Sequence, residues 1–381
     1  MLDLLIRGGL LVDGTGAPPL SADLGVIGDR IEAIGHLEAA LAATVLDVSG
    51  YIVAPGFIDI HSHSDFSLLA DPRAVSSVSQ GVTTEVVGNC GHGCALVSDP
   101  AAAKTYVYGY HPSVPLDWRD MNGYLMRLDH ARPAVNVATL VANGSLRLAA
   151  GVDDSRPASP DALRAMERFL EQSLEAGAFG YSTGLEYPLE RSATEEELVA
   201  LCRVLSRHGG LYATHTRERT QLALPAIEEQ VRVAQRGGVS LQVSHITPRL
   251  GAPDGAWETA LQIIDRARKD GCDAGFDMHT RLSGVSNLSG IIPPKDLLLP
   301  REQLANRLRD PQARKAMRQV RTWLTEFETL GWQRVRVFTS KAREAAIGRS
   351  FAELAGPLAD PADVASTYCS MKLTTSSTPY L

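Results

Sequence analysis

Pro55-Gly56-Phe57-Ile58-Asp59-Ile60-His61-Ser62-His63 runs from a turn signal, through an apolar strand, into two histidines. Pro-Gly punctuates the chain, and Phe57–His61 reads as a buried strand. In a strand, residues i and i+2 face the same side, so the imidazoles of His61 and His63 can aim at one metal ion. Neutral imidazole suits zinc and similar ions. A His-x-His pair alone is as readily a surface pair; here the apolar strand feeding it favours a ligand pair.

Upstream of this strand the chain reads as short strands. Leu2–Arg7 is mostly apolar and is expected to end at Gly8-Gly9. Asp23–Ile27 and Arg30–Ile34 flank Gly28-Asp29, a hairpin signal. Val45–Val48 and Tyr51–Val53 are split by Gly50. Residues 1–54 are therefore expected to form the N-terminal part of a small β-sandwich. Downstream, strand and helix patterns alternate. Strands are expected at Phe57–His61, Val82–Val87, Ala134–Val141, Ala178–Ser182, Leu211–His215, Ser240–His245 and Ala274–His279. Helices are expected at Met121–Leu128, Pro160–Glu175, Thr194–Arg207, Leu224–Arg236 and Ala256–Asp270. Leu163, Met166, Phe169, Leu170 and Leu174 recur with helical period in the second of these.

Repeated β-then-α units indicate an α/β fold with a parallel sheet and helices outside it. Seven strands over residues 55–281 suggest a TIM-like (β/α)8 barrel, lacking its last strand at the C-terminal end. An open doubly wound sheet is the alternative. Ligand-type residues at the C-terminal ends of several strands favour the barrel, which keeps its sites there. Past Arg281 the alternation fades. Residues 282–358 read as an insertion or subdomain: Ile291–Pro300 is Pro-rich, Arg301–Leu330 is helical and charged, and Arg334–Phe338 is a candidate strand. Residues 359–381 show no clear period and are expected to be poorly ordered.

The 381-residue chain is 44% hydrophobic and 21% charged, an ordinary globular balance. Its net charge of −7, with no long basic run, argues against a phosphate-tracking nucleic-acid surface. The opening MLDLLIRGGLLVDGTG lacks the layout of a signal peptide, and no apolar run is long enough to span a membrane. Five cysteines, Cys90, Cys94, Cys202, Cys272 and Cys369, are too few and odd for a disulfide framework, so a reducing cytoplasm is expected. Self-association is left open.

Cys90 follows Val82–Val87 in Gly88-Asn89-Cys90-Gly91. Thiolate binds zinc strongly, although a free cysteine is commonly just a small buried residue. The glycines on both sides argue for close backbone approach at a site. A local clip with Cys94 is conceivable but would need other ligands nearby. His215 and His245 each end an apolar strand and precede a polar turn. One such histidine is usually a packed residue; two on successive strands, beside His61 and His63, form a pattern.

With these residues in place, the chain resembles the D-aminoacylase (N-acyl-D-amino-acid deacylase) family of the amidohydrolase superfamily. The resemblance rests on LIRGGLLVDGTG and ADLGVIGDRIEAIG, then PGFIDIHSHSD, SQGVTTEVVGNCG, GAFGYSTGLEYP, LSRHGGLYATHTRE and VSHI, in the family's order over roughly residues 3–295. It implies zinc-dependent hydrolysis of a small N-acyl-D-amino acid to a carboxylate and a free D-amino acid. It further implies one tight zinc held by Cys90, His215 and His245, and a second, weaker position faced by His61 and His63 that shares Cys90. Tyr187 matches a position lining the substrate pocket. Cyclic-amide hydrolases of the hydantoinase and dihydroorotase type are the alternative. They typically use a carbamylated lysine on the fourth strand, where this chain has none; Lys104 lies in a loop region.

Amide hydrolysis also needs a general base. The resemblance implies an aspartate at the end of the eighth barrel strand, and no residue of this chain matches it. Asp277 is a substitute candidate, with a structural hydrogen-bonding role as the other reading. His279 stands where better-known members have an oxyanion-stabilising tyrosine, and it can donate a hydrogen bond in its place. Arg217 is the candidate for the substrate carboxylate, with Arg219 beside it. Family members continue well beyond the length found here, so a truncated or frame-shifted, non-catalytic member is a further expectation.

Overall fold

β1 (Leu2–Leu11), β2 (Leu20–Ile27), β3 (Arg30–Gly35), β4 (Ala42–Asp47) and β5 (Ile52–Val53) form one sheet in the order β3-β2-β1-β4, with β5 also paired to β1. They are seen in a computed structural model that describes residues 1–37, 41–98, 100, 113–152, 156–249, 251–279, 288–293, 296, 299–320, 322–338, 340 and 343–375. β1 does not stop at Gly8-Gly9 as expected. Gly8, at φ +75°, lets the strand shift register between Ile6 and Gly9 and continue to Leu11. The Gly8 N–H freed by this bulge donates to Asp23 Oδ1 at 2.8 Å.

Two units are distinguished. Met1–Asp59, Ala74–Glu85 and Ala134–Asn136 form the first. It includes β6 (Phe57–Asp59), which pairs in parallel with the start of β7 (Val82–Val87). Ile60–Arg73, Val86–Pro133 and Val137–Leu381 form the second. β8 (Asn136–Ala142), β9 (Gly180–Gly184), β10 (Leu211–His215), β11 (Ser240–Val243) and β12 (Ala274–Phe276) complete a parallel sheet ordered β12-β11-β10-β9-β8-β7-β6. Strand order follows sequence order throughout. A barrel wall requires this, and a doubly wound sheet, which reverses at its switch point, does not.

The connecting helices include α1 (Ser67–Ala70), α2 (Val75–Val78), α3 (Met121–Ala131), α4 (Asn143–Ala149), α5 (Pro160–Glu175), α6 (Pro188–Arg191), α7 (Glu195–Arg207), α8 (Ala223–Gly237) and α9 (Ala256–Lys269). α5 starts because Ser159 accepts from the Ala162 N–H and Pro160 occupies the first turn. It buries Met166, Leu170 and Leu174, the stripe its period predicts. Thr194 caps α7, whose first turn carries Glu195, Glu196 and Glu197 toward the positive end of the helix dipole.

Beyond β12 lies a helical packet with its own core. α10 (Arg301–Arg309), α11 (Pro311–Met317) and α12 (Trp323–Leu330) divide the stretch expected as helical. Arg334–Phe338 is not a strand; it contributes one isolated bridge, Arg336 to Ser350. α13 (Phe351–Ala355) and α14 (Pro361–Thr375) follow. α14 occupies residues 361–375 of the stretch whose sequence shows no clear period. Asp360 Oδ1 accepts from the Ala362 N–H at 2.9 Å, and Ala362, Ala365 and Cys369 are buried with Leu304, Leu308 and Phe351. Residues 376–381, the boundary at Arg281 and Lys104 lie outside the described residues. Among the described residues no helix is long and apolar enough to cross a membrane.

Candidate metal centre

The regular part of β6 ends at Asp59, but pairing persists one step further, with Ser62 N–H donating to Val86 O at 3.0 Å. His61 and His63 follow at that edge, their ring centroids 5.4 Å apart. β7 leads into Gly88-Asn89-Cys90-Gly91, where Gly88, Cys90 and Gly91 all have positive φ, +56° at Cys90. Asn89 holds this turn by donating to Val86 O at 2.9 Å. A β-carbon on Gly88 would collide with Leu140 O, and one on Gly91 with the Glu190 carboxylate. The glycines flanking Cys90 are there because the loop lies directly on neighbouring groups.

β11 ends at Val243, two residues short of the expected His245. His245 takes φ +35°, a left-handed conformation that cannot extend a ladder and is sparsely populated for non-glycine residues. Likewise β12 ends at Phe276, before Asp277 and His279.

Three expected ligands converge. Cys90 Sγ lies 3.2 Å from His61 Nε2 and 3.4 Å from His245 Nε2. Among the described residues theirs is the one group of three such side chains whose ligand atoms all lie within 4.8 Å. Cys94 is not in it; it is buried, and its carbonyl accepts from Trp118 Nε1. His215 packs against His245, ring centroids 4.4 Å apart, and is buried. Its Nε2 lies 2.7 Å from Glu186 Oε2 and its Nδ1 3.3 Å from the Tyr187 hydroxyl. Tyr187 sits between His92 and His215, and His279 stacks on His245 at 5.5 Å.

Burial pushes the Cys90 thiol up, but the charge on His61 and hydrogen bonds from His215, His245 and His61 hold it well below its ordinary value. Burial works against charge on His61 too, yet the Cys90 thiolate and Asp277 raise it to about 10. Burial takes His245 down to about 3, keeping it neutral. The donor atoms are one sulfur and several imidazole nitrogens, a combination that suits zinc, and His61 must release its proton before it can bind a metal. His245 Nδ1 is buried with no hydrogen-bond partner.

Asp277 stands beside this cluster with both oxygens committed. Oδ1 is 3.0 Å from His61 Nδ1 and accepts from the His245 N–H at 2.6 Å; Oδ2 accepts from Gln242 Nε2 at 3.2 Å. Arg217, expected at the substrate carboxylate, turns instead to Glu229 and to the carbonyls of Arg191 and Ala193. Arg219 is buried and donates to the carbonyls of His245 and Thr247, bracing the strained His245 turn. Glu186, Glu190 and Arg249 were not singled out from sequence. Glu186 and Glu190 both fall in the LEYPLER segment around Tyr187, so only proximity to a motif pointed to them.

The fold that carries this cluster is an α/β scaffold with a parallel seven-stranded sheet in barrel order. The amidohydrolase family profile matches residues 44–323, and the chain belongs to the amidohydrolase family. It is 42% identical over 280 residues to N-acyl-D-glutamate deacylase of Alcaligenes xylosoxydans xylosoxydans, a match covering 73% of this chain and 57% of that protein. It is 40% identical over 296 residues to D-aminoacylase of the same organism, covering 75% and 59%. The chain therefore spans less than two thirds of the length of these relatives. The crystal structure of N-acyl-D-glutamate deacylase from Bordetella bronchiseptica, complexed with zinc and a phosphonate mimic of the tetrahedral intermediate, aligns with a TM-score of 0.76 and 32% identity. That alignment covers 96% of this chain and 70% of the other.

Proposed function

We propose that this chain is a zinc-dependent deacylase of N-acyl-D-amino acids. The observation that carries the reading is the convergence of His61, Cys90 and His245 on one point, with His215 packed against His245. In this reading Cys90, His215 and His245 hold the tight zinc, and His61 and His63 offer a second, weaker position that shares the thiolate. Bound zinc would supply Lewis acidity toward the amide carbonyl and toward water.

The chain's own groups supply positioning. The Tyr187 hydroxyl and the His279 ring line the space beside His215 and His245, where each can donate a hydrogen bond to a substrate oxygen. Asp277 orients His61 and the His245 backbone; with both oxygens engaged, it serves the centre by holding ligands and not as the general base. Arg217 braces α8 and does not receive the substrate carboxylate. β9 reads Gly-Tyr-Ser-Thr-Gly and carries no lysine, which weighs against the cyclic-amide reading. Five buried cysteines, none joined in a disulfide, suit a reducing compartment.

The test is zinc content together with release of free amino acid from N-acetyl-D-glutamate and other N-acetyl-D-amino acids, with L-isomers as controls. D-selective release is expected. Equal cleavage of D and L forms, cleavage of hydantoins alone, or zinc binding without hydrolysis would overturn it. Cys90→Ala is expected to lose the tight zinc, while His61→Ala keeps it, measured by metal analysis after dialysis.

A further inference from the structure

Glu186 links two proposed ligand loops, and it is not itself a ligand in the proposed function on which this inference rests. It sits in the turn after β9, where Leu185 N–H donates to His215 O at 3.1 Å and Tyr187 N–H to Gly184 O at 3.0 Å. The backbone that carries Glu186 is thereby tied to the backbone of His215. Its side chain then returns to the same residue, with Oε2 2.7 Å from His215 Nε2. The other oxygen, Oε1, accepts from Arg249 Nη1 at 2.7 Å. Arg249 is held in turn by its own N–H, which donates to Arg219 O at 2.6 Å, and Arg219 braces the His245 and Thr247 carbonyls.

We propose that Glu186 and Arg249 are positioning residues for the metal centre, Glu186 fixing His215 with its proton on Nε2 and Arg249 holding Glu186 in place. An ionised carboxylate only accepts, so Nε2 must donate to it. In a neutral imidazole this leaves the Nδ1 lone pair as the donor for a metal, on the edge that the Tyr187 hydroxyl also faces. A carboxylate on the distal nitrogen orients a ligating histidine and raises its basicity. Asp277 stands in the same relation to His61, through Nδ1, leaving Nε2 toward Cys90. An ordinary half-exposed ion pair would contribute little. The Glu186–Arg249 pair differs because one oxygen is spent on a buried imidazole, 3% exposed at the side chain.

The experiment measures zinc affinity by chelator competition and reads the protonated imidazole nitrogen of His215 by 15N NMR of the zinc-loaded protein. Glu186→Ala is expected to weaken zinc binding about 10–100-fold, and Arg249→Met less, about tenfold. Glu186→Gln, which keeps an acceptor oxygen, is expected to restore most of the affinity. Arg236→Met, which breaks an exposed pair with Glu195 and Glu196, is expected to change nothing. In the loaded wild type the proton is expected on Nε2. Glu186→Ala binding zinc as tightly as wild type, or a His215 proton found on Nδ1, would overturn the inference. If Glu186→Ala fails to fold, Arg249→Met and the wild-type spectrum decide. Wild-type protein that binds no zinc would overturn the metal reading and this inference with it, whereas normal zinc binding without deacylation would overturn only the substrate reading.

Discussion

Glu190 lies under the cysteine loop, fully enclosed, and accepts from the Gly184 N–H and from Asn143 Nδ2, both at 2.9 Å. Burial pushes its carboxyl up to about 7, against the pull of Gly184, Asn143 and Arg147. The unfolded value is near 4.5, so between the two the folded protein keeps a proton that the unfolded chain has released. Stability is then full below about pH 4.5 and falls as pH rises toward 7, by on the order of 3 kcal/mol. Glu190→Gln retains the acceptor oxygen and removes the titration. It is expected to flatten this slope, raising the urea midpoint at pH 8 relative to wild type while matching it near pH 4.5. An unchanged slope would assign the pH dependence to other groups.

At the scale of elements, the site depends on where strands stop. β11 ends short of His245 because His245 takes a left-handed conformation, and β12 ends at Phe276, just before Asp277 and His279. Their sequence gave apolar runs with no sign of the break, since left-handed geometry at a histidine has no signature in residue type. The His61-Ser62-His63 pair and the glycines around Cys90 were legible, because alternation and close backbone approach both restrict residue choice. Glu186 and Arg249 were not, since a carboxylate and a guanidinium meeting from different loops leave no spacing to read. The helix α14 was legible in principle: Asp360-Pro361 is a cap followed by a first-turn proline, obscured by the Ser- and Thr-rich stretch after it.

Gly184, at the end of β9, shows how tightly these ends are fitted. Its φ is ordinary, yet a β-carbon there would collide with Cys90 O and lie 2.5 Å from Tyr187 Cδ2. Gly184→Ala is expected to push the cysteine loop outward, costing about 1–3 kcal/mol and weakening zinc binding more than the loss of stability alone would. Normal zinc affinity in a destabilised Gly184→Ala protein would show that the loop tolerates displacement.

At the scale of the whole molecule, the helical packet after β12 has a core separate from the centre. Phe351 is buried there against Trp332 and Tyr368, with ring centroids 6.0 and 5.8 Å away. Phe351→Ala is expected to cost about 3–5 kcal/mol, seen as earlier proteolysis of the packet, with zinc content unchanged. Loss of zinc together with the packet would show that the two are one cooperative unit. The sequence placed helices here but not their shared core, because charged helices with short apolar stripes do not reveal their partners.

His61 and Cys90 are 29 residues apart in the chain, and Cys90 and His245 are 155 apart. No fragment that lacks either end of residues 61–245 can assemble the three, so affinity for a metal follows a long-range closure during refolding. A cobalt ion added to refolding protein is expected to acquire the ligand-field bands of a complete thiolate and imidazole site only when β7 and β11 have brought Cys90 and His245 together. Those bands would time the arrival of distant sequence without any engineered probe.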